Sequence, residues 1–149
     1  MLFQRIKRTD PEKIFIIVKN SWSTAALANG YVVQWDFTTD IDGVGVTQPQ
    51  GMATNFGSAV AGVAAEAIGI GEYGLVQVYG YHAAVHARAN TSADVIALGS
   101  DLRLALAAGT WCAEGHDPDG TLNYQIMGFA LSIWSSWTST TIKAFIKAL

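Results

Sequence analysis

The sequence has one cysteine, Cys112, and three prolines in 149 residues. A disulfide scaffold is therefore excluded. Charge is also scarce, at 14% of residues. Scarcity of charge does not mean disorder, because half of the chain is apolar and it carries 5 Trp, 5 Tyr and 6 Phe. Long apolar runs are missing. The Ala-rich stretch from Ala59 to Ile70 is broken by Gly62, Glu66 and Gly69. It falls short of the roughly 20 residues that a spanning helix needs, so no membrane partner is expected. Met1 to Arg8 shows no apolar segment after its charges, so no secretion signal is expected and folding in a reducing compartment is. The length suits one domain with one buried core.

Positive charge is missing from the middle. Arg5, Lys7, Arg8, Lys13 and Lys19 lie in the first 20 positions, and Lys143 and Lys147 lie near the other end. Between them only Arg88 and Arg103 are basic, against ten acidic residues from Asp36 to Asp119. An acidic body argues against a nucleic-acid partner. A basic end suits an acidic protein surface or a phosphate backbone, or is simply a solvated tail.

What is present is a succession of short strands. Lys13 to Lys19 is β-branched and aromatic and reads as a buried strand, and Asn29-Gly30 then marks a turn. Tyr31 to Phe37 places Val33, Trp35 and Phe37 at period two. Asp40 to Gly43 turns the chain into Val44-Gly-Val46. Ala59 to Ile68 is ambiguous, since alanine favours helix. Gly62 in its middle and strands on either side favour strand. Tyr73 to Tyr81 is the clearest strand and extends towards Ala87, with Gly74 and Gly80 marking bulges or close backbone approach. Asp101 to Leu106 alternates, with Leu102, Leu104 and Leu106 inward and Arg103 outward. Trp111-Cys-Ala113, Phe129 to Trp134 and Thr141 to Leu149 complete the set, and Glu114 to Thr121 reads as a polar loop. The expected fold is all-β: a compact β-barrel or β-sandwich of short antiparallel strands, residues 13–149, behind an extended N-terminal arm, residues 1–12. Lys13-Ile-Phe-Ile and Lys143-Ala-Phe-Ile resemble each other, so the first and last strands are expected to pair or lie close. No other repeat stands out.

Catalytic patterns fail on their context. Gly69-Ile-Gly-Glu-Tyr-Gly74 matches G-x-G-x-x-G, but a dinucleotide site needs a helix after it, and Leu75 to Tyr79 reads as strand. A glycine-rich turn between strands fits better. His82 and His86 would share a metal on a helix, but on a strand they lie about 13 Å apart. Asp117-Pro-Asp-Gly120, beside His116, reads as a turn rather than a calcium loop. Cys112 has no basic neighbour to activate it. No metal or cofactor is expected, and the chain is not expected to be an enzyme. A hydrolase using Asp117, Asp119 or His116 is the weaker alternative. Trp22, Trp134 and Trp137 lie at strand ends or in Ser/Thr-rich stretches and are candidate interface aromatics. Trp134 and Trp137 also suit a carbohydrate-binding surface.

Several segments together resemble a family. They are Phe3-Gln-Arg-Ile-Lys-Arg-Thr-Asp-Pro-Glu-Lys13, Phe15-Ile-Ile-Val-Lys-Asn20, Asp42-Gly-Val-Gly-Val46 and Ala61-Gly-Val63. Gly71-Glu-Tyr-Gly-Leu-Val-Gln-Val-Tyr-Gly80, Gly99-Ser-Asp-Leu102 and Ile142-Lys-Ala-Phe-Ile-Lys147 join them. These look like small virion structural proteins of tailed bacteriophages, nearest to the head decoration, or cement, proteins. The resemblance implies a non-enzymatic capsid decoration protein, made in the host bacterial cytoplasm and bound to the outer surface of the mature head. It also implies the major capsid protein as partner and a homo-oligomer, with a trimer favoured. Phe3, Arg5, Ile6, Lys7 and Arg8 then form a capsid-docking arm. Another virion role, as a head-fibre base or tail protein, is the alternative.

Overall fold

The computed structural model describes residues 12–40, 43–49, 59–89, 95–104, 113–115, 125–135 and 138–148. Every regular element among them is a strand: β1 (Ile14–Asn20), β2 (Val32–Trp35), β3 (Gly45–Thr47), β4 (Val60–Ala64), β5 (Tyr73–Arg88), β6 (Asp101–Leu104), β7 (Ala113–Gly115), β8 (Gly128–Ala130) and β9 (Thr140–Lys147). Within the ambiguous stretch Ala59 to Ile68, Ile68 forms an isolated bridge and Val60–Ala64 form a strand, β4, whose five residues are all buried. Burial on both faces suits its small and β-branched side chains.

The all-β expectation holds, and the sheet closes on itself twice. β1, β3, β2, β4 and β5 form one ring, closed by β5 pairing with β1. β5, β7, β6, β8 and β9 form a second, closed by β9 pairing with β5. Strand order is the same in both rings. The parallel pairs fall in the same place too, Lys19↔Gly45 in β1–β3 and Ala87↔Ala113 in β5–β7. The architecture is one five-stranded unit used twice, with β5 as last strand of the first and first strand of the second. Closed rings leave few strand edges open to another chain.

Details outside the strands repeat as well. Leu27 and Ile68 form a bridge in the first unit, and Ile96 and Trp134 in the second. The Gly30 N–H donates to the Ala64 carbonyl at 2.8 Å, and the Gly99 N–H to the Ala130 carbonyl at 2.8 Å. The Ala65 N–H donates to Leu75, and the Leu131 N–H to Lys143. Gly62 in β4 and Gly128 in β8 meet the next strand alike: a Cβ would strike the carbonyl of Gln77 or of Phe145. The two units are offset by just under half the chain.

Two cores follow from two rings. The first gathers Val18, Leu27, Val33, Val46, Ile68 and Val76. The second gathers Val85, Ile96, Leu102, Met127, Ile142 and Ile146. Val32, Val60 and Val63 belong to this second core although they sit in the first ring. Alternation splits Val32 from Val33 in β2, while in β4 a β-bulge at the Val33/Gln34 register shift breaks the alternation, so that Val60 and Val63 both face the second core and Ala61 and Ala64 the first. Each buried Val, Leu or Ile contributes about 1.5–3 kcal/mol, so this shared wall is a strong joint.

Four expectations need correction. The strands are neither all short nor all antiparallel, since β5 runs 16 residues and two pairings are parallel. Of the two readings for β1 and β9, pairing fails and closeness holds: both pair with β5 and meet at Tyr79, opposite Ile14 and Lys147. Arg103 does not face solvent. It is 6% exposed, because both faces of β6 are covered and burial runs through Leu102, Arg103 and Leu104. Glu114 and Gly115 belong to β7 rather than to a loop.

Candidate docking site

Among the described residues no group of three or more His, Cys, Asp or Glu is placed to hold a metal ion. His82 and His86 both lie on β5, but the register shifts between His82 and Val85 and breaks the alternation. His82 is 7% exposed, and its Nδ1 accepts the Ala84 N–H at 3.2 Å. Its pKa is lowered from 6.5, first by burial and then by the charge of Lys13, against the opposing effect of a hydrogen bond to the Ala64 backbone. His86 packs edge-on to Tyr31, with ring centroids 4.9 Å apart, and burial lowers its pKa too. Both histidines serve the joint between the units. His86 sits where β5 crosses the Gly30 turn, and its N–H donates to the Gly30 carbonyl at 2.9 Å.

The G-x-G-x-x-G segment is the expected glycine-rich turn. Gly71 has φ of 74°, the Glu72 carboxylate accepts the Gly69 N–H at 3.2 Å, and β5 begins at Tyr73. Asp36 ends β2 in a similar way. Its carboxylate accepts both the N–H and the hydroxyl of Thr38 and of Thr39. Burial would raise its pKa, but hydrogen bonds from Thr39, Ser21 and Thr38 hold it at about 2, below the usual 3.8. This turn also explains why the apolar alternation stops at Trp35 and leaves Phe37 39% exposed.

One open cleft of about 240 Å³ is lined by Lys13, Phe15, Asn29, Gln77, His82 and neighbouring alanines. Its volume is below the range usual for small-molecule sites. The Gln77 amide donates to the Tyr79 and Tyr81 carbonyls at 3.1 Å each, and His82 is held as above. Gln77 and His82 are thus committed to the backbone of β5, and Lys13 lies over the Tyr81 ring.

Of the expected interface residues, Trp22 and Trp134 are among the described ones. Phe3, Arg5, Ile6, Lys7, Arg8 and Trp137 lie outside the described residues, as do His116, Asp117, Asp119 and Cys112. Trp22 is half-buried beside the end of β1, where its N–H donates to the Asn20 side chain at 3.0 Å. Trp134 packs partly against the second core, and its indole N–H donates to the Thr138 carbonyl at 3.3 Å. Its bridge with Ile96 gives it a structural duty.

The most distinctive surface was missed in the sequence. On the outer face of the β1–β5 ladder, Ile17 opposes Leu75 and Lys19 opposes Tyr73, with Phe15 in the same row. Ile17 is 69% exposed, Tyr73 64%, Phe15 41% and Leu75 38%. The usable signal was the β1 sequence itself, apolar at every position from Ile14 to Val18, more than one buried face can absorb. On the second unit, Tyr79, Phe145 and Phe129 form an aromatic row across β5, β9 and β8. The Tyr79–Phe145 and Phe145–Phe129 centroids are each 5.1 Å apart. These rings are half-buried and satisfy one another.

No family model matches the sequence, and no curated protein does so. A solved structure does share the fold: the N-terminal base of the head fibre protein gp8.5 of bacteriophage phi29. The match has a TM-score of 0.51 at 12% identity and covers 92% of this chain and 96% of that chain. At that identity the likeness is one of fold, and it spans both five-stranded units.

Proposed function

We propose that the chain is a non-enzymatic structural protein of a bacteriophage virion, bound to the outside of the head. The observation that carries this reading is the whole-length fold match to the base of a phage head fibre. The virion-protein motifs of the sequence point the same way independently. Two roles fit this reading. One is a decoration protein that binds the mature shell and stabilises it by mass action, a ligand of the assembled lattice alone. The other is the base of a head fibre, which the phi29 protein favours. In both, the partner is the major capsid protein, and a homotrimer is the expected assembly.

The test is reconstitution. Mature heads of the parent phage, stripped of this protein, are mixed with purified chain, and bound copies per capsid subunit are counted at saturation. A fixed ratio near one copy or one trimer per local lattice site, with no binding to unexpanded shells, supports decoration. A few copies per head supports the fibre base. No binding to heads overturns the reading and returns sugar binding through Trp134 and Trp137 to the front.

A further inference from the structure

The exposed apolar row on β1–β5 is a feature of the first unit alone. Matched hydrogen bonds identify Leu75 with Lys143, since Ala65 donates to the one and Leu131 to the other. On the second unit this position is a charged, exposed residue flanked by exposed Thr141. That is what a solvent-facing strand ordinarily carries. The fold therefore does not require apolar side chains here, yet the first unit presents Phe15, Ile17, Tyr73 and Leu75 together. An exposed contiguous apolar patch on a soluble surface marks an interaction site.

The rim says what kind of partner fits. Lys13 and Lys19 stand at the two ends of the β1 row, Lys13 5.9 Å from the centre of the Tyr81 ring. Two carboxylates near the Tyr73–Leu75 end are turned to backbone: Glu66 accepts the Leu75 N–H at 2.8 Å and Glu72 the Gly69 N–H at 3.2 Å. A second copy packed face to face about a two-fold axis would bring lysine against lysine, Lys13 on Lys19 or each on its own counterpart, like charge on like. A surface with an apolar centre and carboxylates at its edges meets the row without that conflict. We infer that the outer face of the β1–β5 ladder docks on such an acidic-rimmed surface of the assembled head. This rests on the virion reading above and assigns the face and the partner chemistry within it.

The test uses stripped heads and four purified proteins: the wild type, Ile17→Asp, the double variant Lys13→Glu/Lys19→Glu, and Lys143→Glu as a control on the second unit. All four are checked by circular dichroism and melting temperature. Ile17 is exposed, so Ile17→Asp should fold normally while weakening head binding about tenfold or more. The lysine double variant should also bind less tightly and lose the salt dependence of wild-type binding, whereas Lys143→Glu should bind as the wild type does. If Ile17→Asp does not fold, the lysine double variant decides alone. Wild-type binding with both first-unit variants unaffected overturns this inference and leaves the virion reading intact. No wild-type binding overturns that reading and this inference with it. If Ile17→Asp instead reduces the solution mass and leaves head binding unchanged, the face is covered by a second copy and the inference falls.

Discussion

Leu27 in the first unit and Ile96 in the second occupy the same bridge, and each is 1% exposed. Leu75 and Lys143 also occupy matched places, yet one is apolar and the other charged. The first pair shows what the five-stranded unit demands: a large aliphatic side chain plugging each ring. The second shows what it leaves free, and freedom is where specificity can be written. Val32, Val60 and Val63 add a third lesson. They form an apolar outer wall on the first unit because the second unit covers it. On the second unit, Asp101 and Phe129 are register partners on the corresponding β6–β8 ladder, and Asp101 is exposed. A charge there marks the end of the stack, so the pattern is used twice and then stops.

The hardest test of the equivalence is at its glycines. Gly62 has φ of 146° and a Cβ would lie 2.5 Å from the Gln77 carbonyl oxygen. At Gly128 a Cβ would meet the Phe145 carbonyl in the same manner. Gly62→Ala and Gly128→Ala should each cost about 3 kcal/mol or more, measured by denaturant unfolding. Gly62→Ala carries the added strain of its backbone angle. Both variants should still unfold in one transition, because β5 belongs to both rings. Two separated transitions would show that the units fold independently and that the shared strand does not couple them.

Next in size are the plugs. Leu27→Ala and Ile96→Ala should cost a similar amount, about 2–5 kcal/mol each. For a chain of this length that lowers the melting temperature by very roughly 10 °C. The sites lie in different cores, so the double variant should cost the sum. A loss at only one site would mean that the bridges match in geometry and not in load.

Much of this fold was legible before the structure, and the reasons are local. β1, β5 and β9 announced themselves by β-branched runs, and the turns at Gly30 and at Gly69 to Gly71 by glycine. The duplication was not legible. Its signature consists of single residues far apart, such as Gly30 with Gly99 and Ala64 with Ala130, joined by no shared run long enough to notice. The parallel pairs depend on contacts between distant segments, which local pattern does not encode. Arg103 misled because alternation implies a solvent face only when one face of the strand is open. The docking row was hidden for the opposite reason: an unbroken apolar strand reads as buried, and nothing in β1 separates Ile17, which is exposed, from Val18, which is not. The tryptophans drew attention by residue type, yet Trp134 is explained by its bridge and its packing.

The smallest expected effect concerns pH, and it sharpens the comparison at the joint itself. His82 and His86 flank a register shift in the β5–β9 ladder, a few residues beyond Tyr79, where β5 passes from β1 to β9. Burial lowers the pKa of both below 6.5, and the charge of Lys13 lowers that of His82 further, so each is neutral in the folded chain at neutral pH. A folded value below the unfolded one means that the unfolded chain binds more protons between the two. Stability is then fully present above about pH 6.5 and declines as pH falls towards the folded pKa. Protonating His82 also removes the acceptor for the Ala84 N–H. Unfolding free energy followed from pH 7.5 to 5 should therefore fall in the wild type. The decline should be clearly shallower in His82→Gln and only slightly shallower in His86→Gln, whose ring is less buried and lacks the lysine. Equal slopes in all three proteins would place the acid sensitivity elsewhere and leave the joint indifferent to its histidines.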